Sequence, residues 1–357
     1  MKIALTGLPF SGKTTLLRSL TGGGRSAAAG RGDAESVAMV KVPDPRLDRL
    51  TEIFKPKKKV PAAIEFVDVP GLGFDTDAAR ADSARYLPTL RQADALVVVL
   101  RAFTQSDVFA YRGRVDPLSD WRELHSEFLL SDLQAITNRI DRVKAALTKP
   151  SRTKAMEQEL VLLQRCVEAL ENEKPLSGLL SVEEEKQLRS FSLLTWKSIV
   201  VVRNLGEAEL AAPPPVPAEI SGNSAAVLDL SAPLEAELAE LGPEDEKTFC
   251  KEMGIAEPAV NRLARASLLA CRMIQFFTYG EDECRAWPIP AGADAVTAAG
   301  AIHSDLARGF IRAEIVHWAD FAEHGDIKGC RDAGKFRLEG KGYGMQDGDL
   351  VVIRFAV

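Results

Sequence analysis

Histidine and cysteine are scarce in this chain, and each scarcity closes off a class of chemistry. The four histidines, His125, His303, His317 and His324, give no spacing that would hold a transition metal. The five cysteines, Cys166, Cys250, Cys271, Cys284 and Cys330, are odd in number and form no CxxC pair. Buried, reduced thiols are expected rather than disulfides or a zinc site, in keeping with a cytoplasmic setting. No apolar run approaches the ~20 residues of a membrane helix, so no membrane partner is expected. The opening Met1-Lys2-Ile3-Ala4-Leu5 reaches glycine too soon for a secretory signal. Net charge is −6, which argues against a protein that coats nucleic acid in bulk, and DNA is not expected as a partner. The rest is ordinary: 357 residues, 46% hydrophobic and 27% charged, enough for two or three globular domains.

The apolar residues fall into patterned runs. Lys2-Ile3-Ala4-Leu5-Thr6 reads as a buried strand entering a glycine loop, with a helix expected from Lys13. Ile64-Glu65-Phe66-Val67-Asp68 is a second strand, closed by Pro70-Gly71. Leu96-Val97-Val98-Val99-Leu100, Ile199-Val200-Val201-Val202 and Ala226-Val227-Leu228-Asp229-Leu230 have the continuous apolar texture of a parallel sheet covered on both faces. Residues 22–35, rich in Gly, Ala and Ser, read as a mobile loop, and the proline-rich 211–217 as another.

Between these strands the period changes. Leu129, Leu133, Ile136, Ile140, Val143 and Leu147 recur in steps of four and three, as do Met156, Leu160, Leu163, Val167 and Leu170. Lys149-Pro150-Ser151 separates the two series. An antiparallel coiled-coil hairpin accounts for a 3.5 period held twice, while two ordinary core helices are the plainer alternative. Ser181 and Glu184 have the spacing of a capping box for a further helix. After Cys271 short alternating segments appear around Cys284-Arg285-Ala286-Trp287, residues 310–316 and residues 350–355, separated by glycine turns; they indicate a small mixed or mostly β domain.

The chemistry concentrates in Gly7-Leu8-Pro9-Phe10-Ser11-Gly12-Lys13-Thr14, a full GxxxxGK[ST] phosphate loop, with Thr15 following it into the helix. The glycines let backbone N–H groups turn inward around phosphate oxygens. Lys13 would reach the β- and γ-phosphates, Thr14 would ligate Mg²⁺, and the helix start adds its positive end. Asp68-Val69-Pro70-Gly71 closes the next strand; the acid would hold the Mg²⁺ shell and the Gly71 amide would meet the γ-phosphate. ATP or GTP with Mg²⁺ is thus the expected ligand. Asn204-Leu205-Gly206-Glu207 stands where Ras-like GTPases carry NKxD, and Ser231-Ala232 where their last base-contacting loop lies. A Glu in place of that Asp adds a methylene and disturbs a bidentate bond to guanine, which favours adenine.

With these motifs the chain resembles the YchF/Obg-like ATPase family over its full length. Pro43-Asp44-Pro45-Arg46-Leu47-Asp48, Glu65-Phe66-Val67-Asp68 and Asn204-Leu205-Gly206-Glu207 are similar to its nucleotide domain. Residues 300–316 and 333–341 are similar to its C-terminal TGS domain, a β-grasp fold. The resemblance implies an inserted coiled coil, a preference for ATP, ribosome association and a role in stress responses. It also shows departures. Phe10 stands where the family carries an Asn linked to monovalent-cation binding. Gly32 stands where a Mg²⁺-ligating Thr is expected, with Ser36 nearby. Residues 74–85 replace a glycine-rich switch II with a charged, helix-prone segment, and Ala110 falls on the proposed catalytic His. Leu72 does match, as the hydrophobic residue at the position of the Ras-like catalytic Gln.

The expected architecture is therefore α/β: a Ras-like P-loop NTPase domain (residues 1–118 and 195–275), an inserted helical hairpin (119–194) and a TGS domain (276–357). A slow nucleotide-dependent switch, a partner-activated ATPase or GTPase, and a ribosome-binding scaffold with a vestigial site are the three readings. Residues 276–357 carry nine Lys and Arg against thirteen Asp and Glu. Positive charge gathers instead at Arg142, Lys144, Lys149, Arg152 and Lys154 around the hairpin turn, and at Lys55, Lys57, Lys58 and Lys59. Lys149, Arg152 and Lys154 with the lysines of 55–59 are the candidate contacts to ribosomal RNA, against the plainer reading of solvated lysine-rich turns.

Overall fold

Strands β1 (Lys2–Thr6), β2 (Ser36–Lys41), β4 (Ala63–Asp68), β5 (Ala95–Ala102), β6 (Ile199–Leu205) and β7 (Ala226–Leu230) form one sheet in the order β2–β4–β1–β5–β6–β7, and the short β3 (Lys58–Val60) lies outside it. The computed structural model describes residues 1–22, 36–105, 107–173, 176 and 179–356. Of the loop expected at 22–35, all but Gly22 lies outside the described residues, as does Gly32. The chain divides into two compact units, residues 1–38 with 66–249, and residues 39–65 with 250–357.

In the first unit β1, β5, β6 and β7 run parallel, and the apolar runs expected to be covered on both faces are buried. Parallel strands need crossovers, and helices supply them. Helix α1 (Lys13–Leu20) follows β1 directly and packs against the helix Ala232–Glu240. Helices α3 (Asp77–Ala84) and α4 (Leu87–Gln92) fill the connection from β4 to β5, so residues 74–85 do carry the expected helix, capped by Thr76.

Helix α5 (Pro117–Leu147) starts sharply, because Pro117 occupies its first turn and Asp116 accepts from Leu118 N–H and Ser119 N–H at 3.1 Å each. Its 31 residues make a rod about 46 Å long. Trp121, Leu124 and Phe128 pack into the sheet core with Leu96, Val98 and Ile199. Farther along, Ile136, Ile140 and Val143 share a separate core with Leu163, Cys166 and Leu170 of α6 (Lys154–Glu171). The two apolar series meet there, and Arg139 pairs with Glu159 beside it. Between the two cores, fully buried Asp132 accepts from Leu194 N–H (3.1 Å) and Thr195 N–H (2.8 Å), which pins the returning chain. The Ser181–Glu184 capping box is present with both of its bonds.

The second unit is built on β8 (Met273–Thr278), β9 (Glu283–Pro290), β10 (Phe310–His317), β11 (Arg337–Glu339) and β12 (Asp349–Phe355), in the order β11–β10–β12–β8–β9–β3. The β8–β12 pair is parallel at its centre. Ala295, Ala298 and Ala299 of the helix Ala295–Ile302 pack on Phe276, Ile315 and Val351. Residues 39–65 group with this unit and not with the nucleotide domain to which the sequence-based division assigned them. The reason lies in distant partners: β3 pairs with β9, Phe54 of α2 (Pro45–Phe54) lies 4.9 Å from Tyr279, and Arg46 bridges Asp44 (2.8 Å) and Asp347 (2.6 Å). Four cysteines are buried and Cys271 is partly so. Among the described residues no helix is long and apolar enough to cross a membrane.

Candidate functional site

The glycine loop between β1 and α1 opens onto a cavity of about 680 Å³, well inside the range of small-molecule sites. Pro9, Phe10, Ser11, Gly12, Lys13, Thr14 and Thr15 form one wall. Gly71 closes a second side, and Asn204, Leu205 and Glu207 with Ser231 and Ala232 close the far end. Most of the residues singled out from sequence are thus brought together around one space.

Close approach explains the glycines. Gly12 has φ 93°, and a Cβ there would fall 2.2 Å from Asn204 Nδ2. A Cβ on Gly71 would fall 2.9 Å from Pro9 Cα, so only glycine lets the two segments face each other. Phe10 has φ 62°, a left-handed backbone that Asn tolerates far better than an aromatic residue, and its ring stays 55% exposed at the rim.

Lys13 is buried, and its Nζ donates to the carbonyls of Gly7 (3.2 Å) and Leu8 (3.3 Å). Burial pulls its pKa down to about 8, with Asp68 opposing the shift. Thr14 Oγ1 donates to Asp68 Oδ2 at 3.4 Å. Burial lifts the Asp68 carboxyl above the usual range, against the pull of Lys13 and Thr14. Asp68 Oδ1 and Ser11 Oγ are buried without a hydrogen-bond partner among the described residues. Such orphaned atoms cost about 1–3 kcal/mol each unless something meets them. A hydroxyl and a carboxylate with a vacant oxygen are the donor set of a hard cation such as Mg²⁺, so the residues present fit that ion.

Asn204 has a different place from the expected one. It lies inside β6, where its Nδ2 donates to Ser11 O (3.0 Å) and its Oδ1 accepts from Ala232 N–H (2.9 Å). It joins the phosphate loop to the loop after β7. Leu205 is buried beside it, and Glu207 is exposed at the rim. Gly7, Leu8, Asp68 and Leu72 do not line the cavity. Gly7 and Leu8 support Lys13 from behind. Leu72 is fully buried in the sheet core and its N–H donates to Gly7 O (3.1 Å), so it braces the loop and presents no side chain to a ligand. Ser36 starts β2.

Sequence reading missed the wall made by Phe103, Thr104, Gln105 and Val108. Buried Arg101 shapes it: its guanidinium lies 4.4 Å over the Phe103 ring and donates to the carbonyls of Phe103 (3.2 Å) and Val108 (3.1 Å). An arginine at the end of an otherwise apolar strand was the one available signal. Away from the cavity, Arg142, Lys144, Lys149, Arg152 and Lys154 are all exposed at the end of the α5–α6 pair. Three of the four lysines in 55–59 already have acidic partners: Lys57 with Asp282 (2.8 Å), Lys58 with Glu283 (3.5 Å) and Lys59 with Asp48.

Comparison with known proteins places this geometry. A family model described as "50S ribosome-binding GTPase" matches residues 2–126. The model YchF-GTPase_C, described as "Protein of unknown function (DUF933)", matches residues 273–356. The chain is 37% identical over 362 residues to the ribosome-binding ATPase YchF of Bacillus subtilis, covering 99% of this chain and 98% of that one. It is 33% identical over 370 residues to Obg-like ATPase 1 of Caenorhabditis elegans, covering 99% and 92%. The solved structure of the Schizosaccharomyces pombe YchF GTPase superposes with a TM-score of 0.86 at 27% identity, over 99% of this chain and 97% of that one.

Proposed function

The chain belongs to the YchF family, and from that premise we propose that it is a cytoplasmic, ribosome-associated P-loop NTPase that binds ATP in preference to GTP with Mg²⁺ and hydrolyses it slowly. One observation carries the reading. The cavity has a complete phosphate cradle, yet among the described residues the only ionisable ones that line it are Lys13 at the phosphate end and Glu207 at the opposite end. Binding is provided for; among the described residues that line the cavity, a general base beside the γ-phosphate is not.

The residues divide the work as follows. Lys13 makes a charge-assisted contact to the β- and γ-phosphates, at a position where burial strengthens it. The first turn of α1 turns its N–H groups to the same oxygens. Thr14 and Asp68 would hold Mg²⁺, which neutralises phosphate charge. Phe103 and Leu205 offer apolar faces to a base. Glu207 replaces the aspartate that would pair with guanine, and this favours adenine. Phe10, in place of Asn, removes the side-chain oxygen that a monovalent cation would use. Ala110 and the inward-facing Leu72 leave the attacking water without a side chain to orient it.

The partner contact is assigned to the basic end of the α5–α6 pair, read as a hairpin (119–194) inserted in sequence between the halves of the nucleotide domain (1–118 and 195–275), with residues 276–357 read as a TGS-type domain. Five exposed cations there have no acid between Arg142 and Lys154 in sequence. The 55–59 cluster contributes less, because Lys57, Lys58 and Lys59 are already paired.

Titration of labelled ATP and GTP with Mg²⁺ tests the site, and single-turnover hydrolysis with and without ribosomes tests the rest. Tighter ATP binding with turnover far below the ~1–100 s⁻¹ of kinases is expected. Turnover in that range without a partner, or GTP bound tenfold better than ATP, would refute the reading. Fast turnover only with ribosomes would make the protein a partner-activated enzyme.

A further inference from the structure

Within the first unit, Gly71 lies against the phosphate loop and the three residues after it are each fastened at the backbone. Gly71 faces Pro9 at closest approach. Leu72 N–H donates to Gly7 O. Gly73 N–H donates to Ser83 Oγ, and that hydroxyl donates back to Gly73 O, both at 2.9 Å. Phe74 N–H donates to Tyr111 Oη at 2.9 Å, and Arg112 donates to Phe74 O at 3.3 Å.

The last pair of bonds has an unusual anchor. The Tyr111 hydroxyl donates to Glu123 Oε1 (2.9 Å), and Arg112 Nη2 donates to the same oxygen (2.7 Å). Glu123 belongs to α5. Arg80 of α3 also pairs with Glu127, one turn farther along that helix. To reach its partners Arg112 adopts φ 51°, ψ 24°, a left-handed conformation disfavoured for a side chain of its size. Tyr111 is buried in the sheet core. The residue before it is Ala110, so this stretch captures the 71–74 segment and brings no base to the nucleotide.

We propose that Tyr111, Arg112 and Glu123 form a latch that transmits the position of residues 71–74, beside the phosphate loop, into α5. The proposal rests on the reading of the cavity as a nucleoside triphosphate site. Gly71 is the one residue of the segment that lines the cavity, so it is the one a γ-phosphate would move. Phe74 is three residues away, and both of its backbone polar groups end on side chains fixed to Glu123. A shift at Gly71 must therefore break those bonds or carry α5 with it. Helix α5 runs without interruption from Glu123 to its own basic C-terminal end, so a small rotation at its base becomes a larger displacement at Arg142 and Lys144.

Hydrogen exchange on the full chain reads this out, with Mg²⁺ and either ADP or a non-hydrolysable ATP analogue. In the unsubstituted protein, protection over residues 71–85 and over 117–147 should differ between the two nucleotides. In Tyr111→Phe, and independently in Glu123→Gln, the difference over 71–85 should remain while that over 117–147 falls to less than about half. Exchange at the Phe74 amide should rise about two- to tenfold in Tyr111→Phe, the worth of one lost hydrogen bond. Thermal melting checks that both variants are folded, and a merely structural brace would not move the nucleotide-dependent difference. If either folded variant keeps the full difference over 117–147, the latch is overturned. It is also overturned if the unsubstituted protein binds both nucleotides with α5 indifferent to them, and the site reading then stands. If neither nucleotide binds, the site reading falls first and the latch with it.

Discussion

The phosphate loop and the segment facing it handle their polar groups in opposite ways. In the loop, Ser11 Oγ and the nearby Asp68 Oδ1 are buried without partners among the described residues, and a buried ammonium donates to two carbonyls. Across the cavity, Leu72, Gly73 and Phe74 have their backbone groups met by Gly7, Ser83, Tyr111 and Arg112. A group left unmet in the interior is expensive unless a ligand meets it; a group met internally gives a ligand nothing to bind. The first region is therefore built to be completed from outside, and the second to hold its own shape. Similarity to an NTPase family does not separate these two conditions.

The largest test of that contrast is at Lys13. Lys13→Ala removes a charge-assisted phosphate contact worth ~2–3 kcal/mol, so nucleotide affinity should fall roughly 30–150-fold. Unchanged affinity in the titration would mean that the unpaired groups of the loop serve no ligand. The next test concerns the far end of α5. Reversing Lys149, Arg152 and Lys154 to Glu should weaken ribosome co-sedimentation roughly 10–100-fold near 0.1 M salt. It should also make its dependence on log salt shallower by about two to three units, with nucleotide binding untouched. Co-sedimentation that tracks the unsubstituted protein across a salt series would remove the α5–α6 end as the contact. A smaller effect is expected at the base end: Glu207→Asp should raise the GTP-to-ATP affinity ratio by about three- to tenfold. A ratio that stays put would show that Glu207, exposed at the rim, does not read the base.

The two regions also differed in how much of them the sequence disclosed. The cradle was legible because its causes are local: a glycine loop between an apolar strand and a helix leaves a fixed spacing of residue types. Strand β7 spans the five residues read from the sequence, Ala226 to Leu230, for the same reason. The facing segment was not legible. Its helix could be foreseen from charge and composition, but Phe74 finds its partners 37 and 38 positions away in Tyr111 and Arg112. Lys57 finds Asp282 225 positions away, and Arg46 finds Asp347 301 positions away. No periodicity announces such pairs. That is why the sequence-based division put residues 39–65 with the nucleotide domain, while in the structure they group with the second unit, and why the packing of Leu72 into the core was not foreseen. Asn204 lies between these cases: its residue type and its nearness to the site were visible, and its place inside β6 and its work as a tie between Ser11 and Ala232 were not.

One residue breaks the pattern on the satisfied side, and it supplies the finest test. Asp120, in the first turn of α5, is buried, and its Oδ1 has no hydrogen bond; Arg114 Nη2 stands 3.8 Å away and Arg114 Nε is itself unmet. Burial pushes the Asp120 pKa up to about 6, with Arg114 pulling the other way. An unfolded aspartate titrates near 3.9. Between about pH 4 and pH 6 the folded protein thus keeps a proton that the unfolded chain has released, and stability falls as pH rises through that window. Above pH 6 the charge is present in both states, and its burial costs up to about 3 kcal/mol. The positive end of α5 offsets about 0.3–1 kcal/mol of this. Asp120→Asn keeps the shape and removes the charge. Urea unfolding should show the variant more stable by about 1–2 kcal/mol at pH 7, with the fall between pH 4 and pH 6 flattened and nucleotide affinity unchanged. A variant no more stable than the unsubstituted protein at pH 7 would mean that Arg114 and Arg101 hold Asp120 as a useful ion pair. The facing region would then have no unmet charge at all, and the contrast with the phosphate loop would be sharper still.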